Sequence, residues 1–184
     1  MKFIKTEISD VYIIEPSVFG DNRGYFLESF NLEKFEENIF PIKFVQDNES
    51  KSSKGVLRGL HFQKPPFNQA KLVRCIEGKV IDVAVDIRRG SPTYGKHVSI
   101  ELSGENKRQL FVPRGFAHGF SDLSDTAVFA YKVDNTYAPE YDAGIKYDDK
   151  ELNIDWSLTE EEVQLSEKDK NLSSFKDLDS PFKF

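Results

Sequence analysis

One cysteine, Cys75, stands in 184 residues. No internal disulfide framework can form, so stability must come from a packed core, which a chain of this length can supply. No apolar run approaches the roughly 20 residues that a membrane-spanning helix needs. The opening MKFIKTEISD has no apolar leader stretch either. The expectation is a cytoplasmic protein with no membrane partner. Basic residues are outnumbered, 25 Lys and Arg against 31 Asp and Glu, for a net charge of −6. That balance argues against a nucleic-acid partner, yet a few converging Arg and Lys would still hold an anionic ligand. There is no Gly-rich phosphate loop and no G-x-S-x-G elbow, and Cys75 lies in mid-strand away from any histidine. Only three histidines occur, His61, His97 and His118, without the spacing of a metal-ligand set. No metal and no cofactor are expected, and acid–base chemistry by side chains is what remains.

What is abundant is aromatic. Sixteen Phe and seven Tyr favour strands, and strand signals follow one another along the chain. DVYIIEP and GYFLESF come early, then GVLRGLHFQ, AKLVRCIE, KVIDVAVDIR, GKHVSIEL, RQLFVP, HGFSDL and AVFAYKV. Turn chemistry separates them at Glu77-Gly78, Gly90-Ser91-Pro92, Ser103-Gly104 and Pro113-Arg114-Gly115. Closely spaced strands without intervening helices predict an all-β antiparallel sandwich or barrel, with residues 1–184 as one domain. Two short helices are expected at its periphery. Asn31 caps the first, with Leu32, Phe35 and Ile39 on one face. The acidic SLTEEEVQLSEKDK carries the second, where Ser157 with Glu160 or Thr159 with Glu162 would form a capping box.

Four positions carry the chemistry that composition leaves open. His61 sits among Leu57, Leu60 and Phe62; strict alternation puts it opposite Arg58, unless a bulge at Gly59 brings both to one face. Alone, it reads equally as a satisfied core histidine or a base. Lys71 alternates with Val73 and Cys75, so either an ammonium enters the interior at a cost or two apolar residues face water. Tyr131 shares a face with Phe129 and Val133 and reads first as a buried tyrosine with one hydrogen bond. Asp169 reads equally as a companion of a Ser166 helix cap. His97 alternates with Val98, Ile100 and Leu102 and belongs to a polar strand face. Asp82 and Asp86 flank Ala84 and read as a solvated face with Arg88 as partner.

Taken together, FGDNRGYFLESFN, FVQDNES, KGVLRGLHFQ, KLVRCIEGKVIDVAVDIRRGSPTYGK, RQLFVPRGFAHGF, YAPEYDAGIKYDD and LSEKD resemble, in order and spacing, the signature blocks of the dTDP-4-dehydrorhamnose 3,5-epimerase family. The resemblance runs from about residue 11 to 170. It implies a metal-free cupin-type jelly roll, usually a homodimer, that inverts C3 and C5 of dTDP-4-dehydro-6-deoxy-glucose. Carried over by position, it implies that His61 is the general base, Asp169 its partner, Tyr131 the proton donor and Lys71 the neighbour of the sugar ketone. It implies substrate contacts from Arg23, Glu28, Gln46, Asp47, Asn48, Arg58, His118, Tyr137, Asp142 and Lys168. Tyr137 would stack on thymine. At Asp142 the family often has Glu, so that match is inexact. Arg23 and Glu28 are expected to reach across a dimer interface. The basic residues Arg23, Arg58 and Lys71 are expected to converge on a cavity. Two other readings stay open: a relative that epimerises one carbon only, and a sugar-binding cupin without catalysis.

Overall fold

The computed structural model describes residues 1–184. Six antiparallel strands make one sheet: β1 (Lys2–Lys5), β2 (Tyr12–Glu15), β10 (Gln109–Val112), β7 (Lys71–Glu77), β12 (Thr126–Val133) and β5 (Gln46–Ser53), in that spatial order. Five make the other: β13 (Asp142–Gly144), β6 (Leu57–Gln63), β11 (Phe116–Asp122), β8 (Lys79–Asp86) and β9 (His97–Ser103). A separate two-stranded arm, β3 (Val18–Asp21) and β4 (Gly24–Leu27), belongs to neither. Two facing antiparallel sheets of this kind fit the sandwich that the strand spacing predicts and the jelly roll that the resemblance implies.

Period-2 alternation explains the layers. The inward faces of β7, β8, β10 and β12 supply Val73, Cys75, Val80, Ala84, Leu110, Ala127 and Phe129 to a core between the sheets. On the outside of the five-stranded sheet, Leu57, Leu60, Val83, Val85 and Ala117 are covered by the C-terminal third through Ile145, Trp156, Phe175 and Phe182. Outside the other sheet, Ile14, Leu72 and Phe111 lie under helix α1 (Leu32–Asn38). Asn31 caps α1 as expected, its side chain accepting from Lys34 N–H. Only Phe35 of the predicted apolar face is fully buried, and Leu32 is exposed.

The acidic segment departs from the prediction. Its only helical turn is α2 (Glu167–Lys170). Thr159 and Glu162 do bond to one another, but they close a turn. Val163 and Leu165 are two residues apart and both pack on the outer core, while Gln164 bridges to Val56. That spacing suits an extended chain, and tertiary burial overrides helix propensity.

Strand β6 contains the expected irregularity. His61 pairs with His118 and Arg58 with Phe120, so three steps along β6 oppose two along β11. Gly59, at φ +125°, occupies the bulge, and a Cβ there would lie 2.6 Å from Gly119 Cα and 2.8 Å from the His118 carbonyl oxygen. Only glycine fits so close to another backbone. The extra residue turns Arg58 and His61 to the same side.

Candidate active site

That side is a cavity of about 530 Å³ between the sheets. His61, Lys71, Tyr131 and Asp169 all line it, together with Arg58 and His118. A second hollow of about 330 Å³ shares His61, Lys71, Tyr131 and Lys168, and adds Gln46, Asn48, Tyr137 and Asp142. His61 stands on β6 of one sheet and Tyr131 on β12 of the facing sheet. A ring placed between them meets an imidazole from one side and a phenol from the other.

His61 is fixed by a partner 108 positions away. Its Nε2 lies 2.5 Å from Asp169 Oδ1, where the carboxylate is 4% exposed and the imidazole 27%. Against an ionised carboxylate Nε2 carries the hydrogen, which leaves Nδ1 with its lone pair. Burial alone would raise the Asp169 pKa, but hydrogen bonds from His61 and Ser166, with the nearby charge of Lys168, hold it below the usual carboxylate range. The carboxylate therefore stays ionised.

Lys71 opens β7 and points inward, so the costly alternative of the sequence is the one realised. Burial lowers its ammonium to about 8, opposed by the Asp142 and Asp82 carboxylates and reinforced by Lys168. Burial likewise raises the Tyr131 phenol, with Arg58 opposing and Asp142 and Tyr137 adding to it. Tyr131 thus keeps its proton at neutral pH and can donate it. Arg58 makes no ion pair; its Nε donates to Ser52 Oγ at 3.2 Å. A guanidinium without a carboxylate at a cavity mouth is an anion anchor. His118 Nε2 lies 2.9 and 3.0 Å from the two oxygens of Asp82, which is fully buried. Tyr137 donates to Asp142 Oδ2 at 3.1 Å, and Lys168 pairs with the same oxygen.

Three sequence-predicted residues lie elsewhere in this chain. Asp47 points to the outer face of β5, where it pairs with Lys132 at 2.8 Å, because alternation sends its neighbours Gln46 and Asn48 inward. Arg23 sits at the tip of the arm, 85% exposed and paired with Asp21. Glu28 binds Lys34 and Asn31. Convergence of basic residues therefore holds for Arg58, Lys71 and Lys168 but not for Arg23. Asp82 and Asp86 correct a further expectation: both are fully buried and not solvated, Asp82 under His118 and Asp86 holding Arg88, the partner expected for it. His97 lies half-buried on the polar face of edge strand β9, outside the cavity; burial and Lys96 lower its pKa. Ser52, Asp82 and Ser166 are the site residues that sequence reasoning missed, since serines and a strand aspartate carry no motif. No group of three or more His, Cys, Asp or Glu is arranged to hold a metal, and no helix is long and apolar enough to cross a membrane.

Residues 5–177 match the family model described as dTDP-4-dehydrorhamnose 3,5-epimerase. The enzyme of that name from Shigella flexneri is 57% identical over 180 residues, covering 97% of this chain and 98% of the relative. The crystal structure of the corresponding protein from Elizabethkingia anophelis NUHP1 superposes with a TM-score of 0.91 at 58% identity, covering 96% and 97% of the two chains. A Legionella pneumophila dTDP-6-deoxy-D-glucose-3,5-epimerase, solved in complex with dTDP-4-keto-L-rhamnose, superposes at 0.95 with 50% identity over 100% and 98%.

Proposed function

The chain belongs to the dTDP-4-dehydrorhamnose 3,5-epimerase family, and on that premise we propose how its own residues divide the reaction. The substrate is a dTDP-4-keto-6-deoxy sugar, and the product is inverted at C3 and C5. Both carbons are α to the C4 ketone. Each proton becomes removable once the enolate oxygen is stabilised.

His61 Nδ1 takes the proton, and Asp169 supports the imidazolium that forms. General acid–base help of this kind contributes roughly 10²–10⁴-fold. Lys71 faces the oxygen on which charge develops, a preorganised cation in a poorly solvated place. Tyr131 returns a proton to the opposite face of the same carbon, which inverts it. The proton removed leaves on His61 and the one added comes from Tyr131, so solvent exchange resets both. No redox step is involved. Arg58 and Lys168 hold the diphosphate end, with Gln46, Asn48, His118 and Asp142 along the ligand and Tyr137 stacked on the base. Remote contacts then orient the reacting carbons.

We further infer a cytoplasmic homodimer in which residues 1–184 act as one cupin-type domain. The arm supports the dimer. Phe19, Tyr25 and Phe26 are 67%, 57% and 69% exposed on it, beside Arg23 and Glu28, neither of which lines the cavity around His61. A second copy that accepts the arm would cover the aromatics and complete its site with both charged residues. Asp47 keeps a place in this reading only as an outer-face residue.

The observation that carries the reading is the His61–Asp169 bond facing Tyr131 and Lys71 across one cavity. Its test is incubation with dTDP-4-dehydro-6-deoxy-glucose in D2O, with NMR at C3 and C5. Deuterium at both carbons, lost in His61→Ala, is the expected result. Deuterium at one carbon makes the protein a single-site epimerase. No exchange from a folded protein that still binds dTDP leaves a binding module.

A further inference from the structure

Asp169 has two carboxylate oxygens, and only Oδ1 is used by His61. The other is occupied by a residue that the reaction scheme does not mention. Ser166 Oγ–H donates to Asp169 Oδ2 at 2.9 Å, and Ser166 Oγ in turn accepts from the Asp169 backbone N–H at 3.1 Å. One hydroxyl thus uses its donor on the carboxylate and an acceptor lone pair on the peptide that carries it. Ser166 is also the N-cap of α2 and lines the cavity beside His61.

We propose that Ser166 is a positioning residue for proton abstraction, the third member of a Ser166–Asp169–His61 chain that sets the orientation of the base. The proposal rests on the reading of His61 as that base. Its physical content is a pair of constraints. A carboxylate anchored by one oxygen rotates about its Cβ–Cγ bond, and the imidazole it holds would turn with it. Anchored by both oxygens and by its own N–H, Asp169 presents Oδ1 in one direction. The second constraint is electronic. A hydrogen bond to a carboxylate draws charge from it, so Ser166 tempers the charge that Asp169 presents to the imidazole. The charged and titratable groups facing this couple are Arg58 of β6, Lys71 of β7, His118 of β11 with Asp82 of β8 behind it, Tyr131 of β12, Asp142 of β13 and Lys168 of α2. None of them touches Asp169 Oδ2 in the structure; Ser166 alone does.

Helix capping must be separated from positioning. Replacing a capping serine by alanine destabilises a helix, while replacing it by glycine does so far less. Ser166→Ala, Ser166→Gly and Ser166→Thr, made in the full chain, therefore form a set. Glycine removes the hydroxyl with little effect on the helix, and threonine restores it. The expected result is a fall in kcat of about 10- to 100-fold in both Ala and Gly, the scale of a hydrogen bond to a charged group. KM should change less than kcat. Threonine should recover most of the loss, and thermal melts of Gly and wild type should nearly coincide. A Gly variant with wild-type kcat and KM would overturn the proposal and leave Ser166 as a cap. So would an Ala loss that disappears below the melting transition. His61→Ala, run alongside, separates the two levels: if it stays active, the assignment of the base has failed; if it is dead while Ser166→Gly is normal, only Ser166 has been misread.

Discussion

The space between the two sheets is filled in two different ways. In one half Val80, Leu102, Leu110 and Ala127 are buried to within 1% of full burial and belong to one packed cluster. In the other, the same strands and their neighbours turn Lys71, Tyr131, Arg58 and His118 into an open cavity. The change is abrupt: along the inward face of β7, Cys75 and Val73 are core, and the next inward residue is Lys71. Alternation assigns a residue to a face, but it does not say whether that face meets oil or water. The packed half holds the sheets at a set separation, and the open half uses that separation to place groups on opposite sides of a substrate.

If the division is real, substitutions in one half should act on rate and those in the other on stability. His61→Ala should cost the most, a loss of about 10²–10⁴-fold in turnover, with urea unfolding close to wild type. A large drop in its unfolding midpoint would blur the comparison. Leu110→Ala belongs to the packed half and should lower stability by about 2–5 kcal/mol, while the folded fraction keeps kcat within a few-fold.

Lys71→Met sharpens the contrast because its two effects have opposite signs. Turnover should fall by about 10²–10³-fold as the cation facing the enolate is lost. Stability at pH 7 should rise by about 1–3 kcal/mol, because a desolvated ammonium is replaced by an apolar chain. The wild-type dependence follows from the lowered value of about 8. Below pH 8 Lys71 is protonated folded and unfolded, and the burial penalty is present in full. As pH rises from 8 toward the 10.5 of a free lysine, only the unfolded chain keeps the proton, and the penalty is relieved. Chemical denaturation between pH 7 and 10 in wild type and Lys71→Met should show this component in the wild type alone.

Asp82→Asn is a smaller perturbation. It removes one of the carboxylates that support the Lys71 charge, so the alkaline limb of kcat/KM should move to lower pH by about half a unit. An unchanged limb would show that a different group titrates there. Asp47→Ala, on the outer face, should do least: kcat/KM unchanged within twofold and stability within about 0.5 kcal/mol, as for an exposed ion pair.

Legibility differed by region for a physical reason. Strands β2, β4 and β6 to β12 were readable because their apolar residues recur at period 2 or form continuous runs. β5 was not. Its inward residues are Gln46, Asn48, Ser50 and Ser52 and its outward ones are Asp47, Glu49 and Lys51. One side meets the cavity and the other solvent, so no hydrophobic pattern marks the strand. The strand hardest to see is thus hidden by its contribution to the site. The acidic tail misled in the opposite direction, since its helix-forming composition yields to the burial of Val163 and Leu165.

By itself the sequence determined the all-β architecture, the turns and the Asn31 cap, because each rests on local periodicity or on residue type. The resemblance of its motif blocks to a known family is what made His61, Lys71, Tyr131 and Asp169 candidates. The tertiary structure alone decided where those candidates stand and what each touches. Close approach of Gly59 to Gly119 turns Arg58 and His61 to one side. The fold brings Asp169 to His61 and Asp82 to His118, and it places Tyr131 on the facing sheet. A side chain's partner 108 positions away leaves no trace in the residues beside it, and only the folded chain brings the two together.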